Sequence, residues 1–133
     1  MSIFRNVVTL LEVSTGTDQA QTGTSYAVLP QDGDRLNDAE QGWYAFFDAT
    51  QSGGATSPTT DVVLETSHDG QNWVEVVKAT QLAQDGEIHE FTAVTALGPY
   101  VRAITAVGGA TAPTHTATVK LASNGPFRLK AVA

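Results

Sequence analysis

With 133 residues, 41% of them apolar, the chain has the size of one domain and enough apolar material to bury a core. It has no cysteine, which excludes disulfides and thiolate metal sites, and its net charge of −7, with seven scattered basic residues, argues against binding a nucleic-acid backbone. No apolar run approaches the roughly 20 residues of a membrane-spanning helix, so a membrane is not an expected partner either.

Residues 4–13 form a short apolar segment in which Val7, Thr9, Leu11 and Val13 alternate with Asn6, Val8, Leu10 and Glu12. Both sets are partly apolar, which suits either a strand buried on two sides or an arm docking on a neighbour. Glu12 ends the apolar run without a clean cleavage site, so a signal peptide is not expected. Residues 14–25 have two glycines, no large apolar residue and no period, the pattern of a linker. Residues 26–29 read as a short strand closed by Pro30. In 31–41, Asp32, Asp34, Asp38 and Glu40 supply the closely spaced oxygens that hard cations want. The glycine and final glutamate of a calcium loop are missing, so a solvated turn is the expectation.

Residues 43–49, Trp-Tyr-Ala-Phe-Phe-Asp-Ala, read as a central strand. Trp43, Tyr44, Phe46 and Phe47 cannot all face one core in extended backbone, so some must pack on a second surface such as another subunit. The strongest local signal lies in 61–77, where two β-branched runs flank Asp69-Gly70 and predict a hairpin. Asp69 is expected to bond its own turn backbone, with Ser67 capping the same turn. Trp73 is expected to anchor the core rather than to stack on a sugar. Residues 87–94, 100–107, 115–122 and 126–133 read as further strands. In 115–122, Ala117, Val119 and Leu121 alternate inward with Thr116, Thr118 and Lys120 outward. Arg102, inside an apolar strand, is expected to pair with Glu65 or Glu75 on a neighbouring strand.

Nothing points to a reaction. Ser67-His68-Asp69 has the residue types of a hydrolase triad, but consecutive residues of a tight turn cannot converge. His68, His89 and His115 fall on different elements; a metal site is not expected from them, and His89 and His115 could pair across a sheet. No catalytic, cofactor or metal residues are therefore expected, and no cofactor. The pattern predicts an all-β antiparallel sandwich of seven to eight strands, immunoglobulin-like or jelly-roll-like, with an extended N-terminal segment. Residues 1–25 would be arm and linker with room for one strand, and 26–133 a single sandwich domain.

The aromatic strand 45–48, the Gly- and Thr-rich loop 53–60, Leu64-Glu-Thr-Ser-His-Asp-Gly-Gln-Asn-Trp73, Tyr100-Val-Arg102, the turn 108–113 and the alternating strand 116–121 occur in a telling order. In order and spacing they resemble small β-sandwich structural proteins of tailed bacteriophage virions. That resemblance implies a non-enzymatic capsid decoration, or cement, protein on the virion surface. Its partners would be the major capsid protein and sister subunits, as a homotrimer. Phe4, Val7, Leu10, Leu11, Trp43, Tyr44 and Phe46 are the interface candidates, and Ser67, Asp69, Gly70 and Trp73 a structural hairpin. The Ser-x-Asp-Gly-x-x-Trp hairpin followed by Tyr-Val-Arg is also similar to discoidin, or galactose-binding-like, domains. The acidic 31–41 and the aromatic-free 14–25 depart from that pattern. A carbohydrate-binding module is thus one alternative, and a phage tail or neck accessory protein another.

Overall fold

The computed structural model describes residues 6–30, 42–53, 56–109 and 112–132; Phe4 and the acidic stretch 31–41 lie outside the described residues. Ten strands are present among them and no helix: β1 (Asn6–Thr17), β2 (Gln21–Thr22), β3 (Tyr26–Leu29), β4 (Trp43–Ser52), β5 (Thr59–Ser67), β6 (Trp73–Lys78), β7 (Gly86–Val94), β8 (Tyr100–Gly108), β9 (Thr114–Ser123) and β10 (Arg128–Ala131). They form two antiparallel sheets arranged as a sandwich. One has the order β1-β9-β4-β7. The other has the order β10-β3-β8-β5-β6, with β2 also pairing β8.

Period-two alternation decides what each strand buries. From β4, Ala45, Phe47 and Ala49 enter the core; from β9, Ala117, Val119 and Leu121; from β5, Val62 and Leu64; from β8, Val101 and Ala103. Phe127, just ahead of β10, is fully buried, and Trp43 closes that end of the core edge-on against it at 4.9 Å between ring centroids. Asn6 Nδ2 donates to the Phe127 carbonyl and so ties the start of β1 to the same corner.

The first 25 residues contribute β1 and β2 to the sandwich. β1 is the outer strand of its sheet, and its pairing with β9 slips by one residue between Thr9 and Leu11. Leu10 is the extra residue. A bulge of this kind bends the strand and reverses its alternation. Before it, Val8 faces inward and Val7 and Thr9 outward; after it, Leu11 and Val13 face inward and Glu12 outward. Leu10 and Leu11 are both buried, at 3% and 9% exposure. They are core residues, not interface residues as expected, because the bulge lets two consecutive side chains reach one core. The expected linker 14–25 is likewise structured in part. β1 runs on to Thr17, β2 pairs β8 through Gln21 and Thr22, and the Gly23 N–H donates to the Ala103 carbonyl at 2.8 Å.

Because β1 supplies core, its loss is expected to unfold the domain. Leu10→Ala should cost about 2–5 kcal/mol of stability, read as a lowered urea midpoint, and removal of residues 1–13 should abolish the cooperative transition. A truncated chain melting like the full one would show β1 to be dispensable.

Candidate functional site

The outer face of the four-stranded sheet carries side chains in rows that follow from strand register. The first row is Val7, Ala122, Tyr44 and Ala93. The second is Thr9, Lys120, Phe46 and Phe91. The third is Glu12, Thr118, Asp48 and His89, and beyond it Thr50 lies between Thr116 and Glu87. Apolar and aromatic side chains therefore gather at one end of the face and polar or acidic ones at the other. Phe91 is the hub of the apolar end. Tyr44 stacks on it with ring centroids 5.4 Å apart and Phe46 tilts against it at 4.8 Å. Phe91 nonetheless remains 52% exposed and Val7 48%, while Tyr44 and Phe46 are half-buried.

Of the expected interface residues, the structure brings Val7, Tyr44 and Phe46 onto this one face. It separates Trp43, which points into the core edge, and Leu10 and Leu11, which are core. Phe91, Lys120 and the acidic row were not anticipated. In 87–94 the two alternating sets, Glu87-His89-Phe91-Ala93 and Ile88-Glu90-Thr92-Val94, are similarly polar. The set facing out is settled only by pairing with β4.

At the acidic end, Asp48 and His89 stand opposite each other on β4 and β7, with His89 Nδ1 2.6 Å from Asp48 Oδ1. Its Nε2 lies 3.5 Å from Glu87 Oε2. The hydrogen bond to Asp48 raises the His89 pKa; desolvation opposes this, and the charges of Asp48 and Glu87 add to the rise.

The other sheet presents a different outer face. Between Ser67 and Trp73 the chain makes a five-residue loop rather than a two-residue turn, with Gly70 at φ +79° where only glycine is unstrained. Ser67 Oγ donates to Asp69 Oδ1 at 2.9 Å and accepts the Asp69 and Gly70 N–H groups. Asp69 Oδ1 accepts the Gln71 and Asn72 N–H groups at 2.9 and 2.8 Å, and Oδ2 accepts the Asn72 side-chain amide. The backbone bonds from Asn72 and Gln71 hold the Asp69 carboxyl well below the usual carboxylate range. Asp69 and Ser67 thus serve the loop itself, as expected.

Trp73 does not anchor the core. Its pairing with Ser67 turns the ring to the outer face, where it is half-buried under Arg102, whose guanidinium carbon lies 4.4 Å from the ring centroid. Arg102 Nε donates to Glu65 Oε1 at 2.8 Å, the pairing expected for it. One face of the indole is therefore occupied by a cation that is itself paired, which argues against a sugar platform there.

His89 and His115 do not pair across the sheet: His89 points outward and His115 is 1% exposed in the interior. The partners of His115 fix its tautomer. Nδ1 lies 2.9 Å from the Thr17 carbonyl, which can only accept, so Nδ1 carries the proton. Nε2 then accepts the Thr105 hydroxyl at 2.8 Å, and Thr105 Oγ1 accepts the Gln21 N–H at 3.0 Å. This relay fastens the segment between β1 and β2 to both sheets, a structural use. Among the described residues no group of three or more His, Asp or Glu side chains is placed to hold a metal ion. Comparison with known proteins finds no matching family model, no similar curated protein and no similar solved structure.

The two shifted groups set opposite pH limbs of stability. Asp69, with its folded pKa lowered, contributes stability above about pH 3.9, the unfolded carboxylate value, which is lost as pH falls further. His89, with its folded pKa raised, contributes fully below about pH 6.5 and loses that contribution as pH rises through its elevated folded value. Urea midpoints measured across pH should therefore fall at both ends. Asp69→Asn should remove the acid limb and Asp48→Asn the alkaline one, and in NMR titration Asp48→Asn should bring the His89 pKa down toward about 6.5.

Proposed function

We propose that this protein is a non-enzymatic structural component of a bacteriophage virion. It docks on the outside of the capsid through the outer face of its four-stranded sheet and so stabilises the head. The observation that carries this reading is the grouping of exposed Val7 and Phe91 with half-buried Tyr44 and Phe46 on a regular sheet face. Contiguous exposed apolar patches on small domains mark interaction sites, and aromatic anchors supply most interface energy. The order of motifs that resembles virion structural proteins supplies the partner.

The physics of such docking is simple. Covering the aromatic rows removes apolar area from water at about 25 cal/mol per Å². A regular sheet held by β9 and β7 on either side of β4 presents those rings with little ordering cost, unlike a mobile arm. The net charge of −7 keeps decorated particles apart in solution. Shells with threefold sites suit a homotrimer of sister subunits.

The test is attachment to phage heads assembled without this protein. Saturable binding at a stoichiometry set by shell symmetry is expected. Phe91→Ser combined with Tyr44→Ser should weaken it about 30-fold or more, the effect of losing a hot spot worth about 2 kcal/mol. The urea midpoint should hardly move, since both residues lie outside the core. Absence of attachment, with the protein recovered in tails, would overturn the assignment.

A further inference from the structure

We infer that the surface met by this face is apolar at its centre and bordered on one side by lysine or arginine side chains. This rests on the docking reading above and adds the chemistry and orientation of the partner. The four strands of this sheet carry a single Lys or Arg, Lys120, and it stands among the aromatic rows between Thr9 and Phe46. All the carboxylates in the outward rows, Glu12, Asp48 and Glu87, lie at the other end. Successive rows on one face are two residues apart, or about 7 Å along the strands.

A flat partner that covers Tyr44, Phe46 and Phe91 must therefore also approach Asp48 and Glu12, one row away. Acidic or purely apolar groups there would leave those carboxylates repelled or desolvated without compensation, whereas cations would pair with them. His89 offsets only part of this charge, since it is shared between Asp48 and Glu87. The asymmetry also orients the complex: the apolar end of the strands seats on the partner's apolar cluster and the acidic end points to its cations. A sister copy presenting the same face would bring acidic rows of like charge into the interface, on chains that each carry −7. The partner of this face is thus a different chain.

Attachment to heads assembled without the protein, measured from about 50 to 500 mM salt, separates the outcomes. Wild-type binding should weaken as salt rises. Glu12→Lys with Glu87→Lys, which leaves the Asp48–His89 contact in place, should lower affinity about 10-fold or more at low salt and flatten the salt response. A control with Glu75→Lys, His68→Lys and Gln71→Lys, an equal change in formal charge on the other sheet and its hairpin, should bind as wild type. If both variants bind as wild type, or both weaken equally, the inference falls while the docking reading stands. If wild type does not attach at all, the docking reading fails and the inference with it. Sedimentation of the free protein showing a dimer that Phe91→Ser dissolves would identify a sister copy as the occupant and overturn it.

Discussion

The constraint on which the molecule depends is that a strand in a two-layer sandwich has one core to face and four large rings to place. Strand β4 is flanked on both sides, by β9 and β7, and its register leaves no freedom. Trp43, Ala45, Phe47 and Ala49 go inward, so Tyr44 and Phe46 must go outward. The inward set is graded in size: fully buried Phe47 sits between two alanines, leaving room for Leu121 from the neighbouring strand β9 and Leu64 from the other sheet. That arrangement makes the interior dense. Slipping β4 by one residue would move Phe47 to solvent and drive either Tyr44 or Phe46, depending on the direction, into the space shaped for Ala45. The external aromatic face is thus a geometric consequence of the internal one, and its position relative to Phe91 is fixed by the same pairing.

A second constraint concerns the outer strand β1. Its sequence presents two interleaved sets, neither of them cleanly polar. The bulge at Leu10 reconciles them by changing the inward set partway along, from Val8 to Leu10, Leu11 and Val13. The bulge also twists an exposed edge, a known means of discouraging strand-to-strand aggregation. Further along, the His115–Thr105–Gln21 relay and the bond from His115 to the Thr17 carbonyl take over from apolar packing and hold the turn into β2. Apolar contact secures the middle of β1 and a buried polar chain secures its end.

How much of this was legible in the sequence follows from the same physics. Clean alternation in 115–122, glycine at Gly70 and the carboxylate at Asp69 are local signals, and the strand, the loop and its capping follow from them. The outward placement of some of the residues 43–47 was legible for the same reason, since extended backbone cannot bury both sides against one core. The bulge was not legible, because one extra residue is visible only against its partner on β9. For Trp73, the loop length after Ser67 sets the face, and Asp-Gly marks a hairpin without giving the length of its loop, which is five residues. His89 and Phe91 became site residues only when β7 was laid beside β4, a contact more than forty residues apart in sequence. Short-range pattern gives elements; long-range register gives faces.

The two outer faces show why one of them reads as structure and the other as a place for a partner. On the β8-β5-β6 side, Trp73 is capped by Arg102, Arg102 is paired with Glu65, and the polar groups of Ser67 and Asp69 are taken up by their own loop. Each group there meets its need within the chain, so an incoming ligand would have to displace interactions already made. On the β9-β4-β7 side, Phe91 packs against Tyr44 and Phe46 and still leaves half its surface to water. A lone exposed phenylalanine would need no explanation, but three rings in contact through Phe91, with an exposed valine in the same rows, place apolar surface on one face, and its exposure carries a standing free-energy cost. The hairpin with the most recognisable sequence thus secures the frame, while the quieter strand 87–94 completes the surface that a partner would relieve of water.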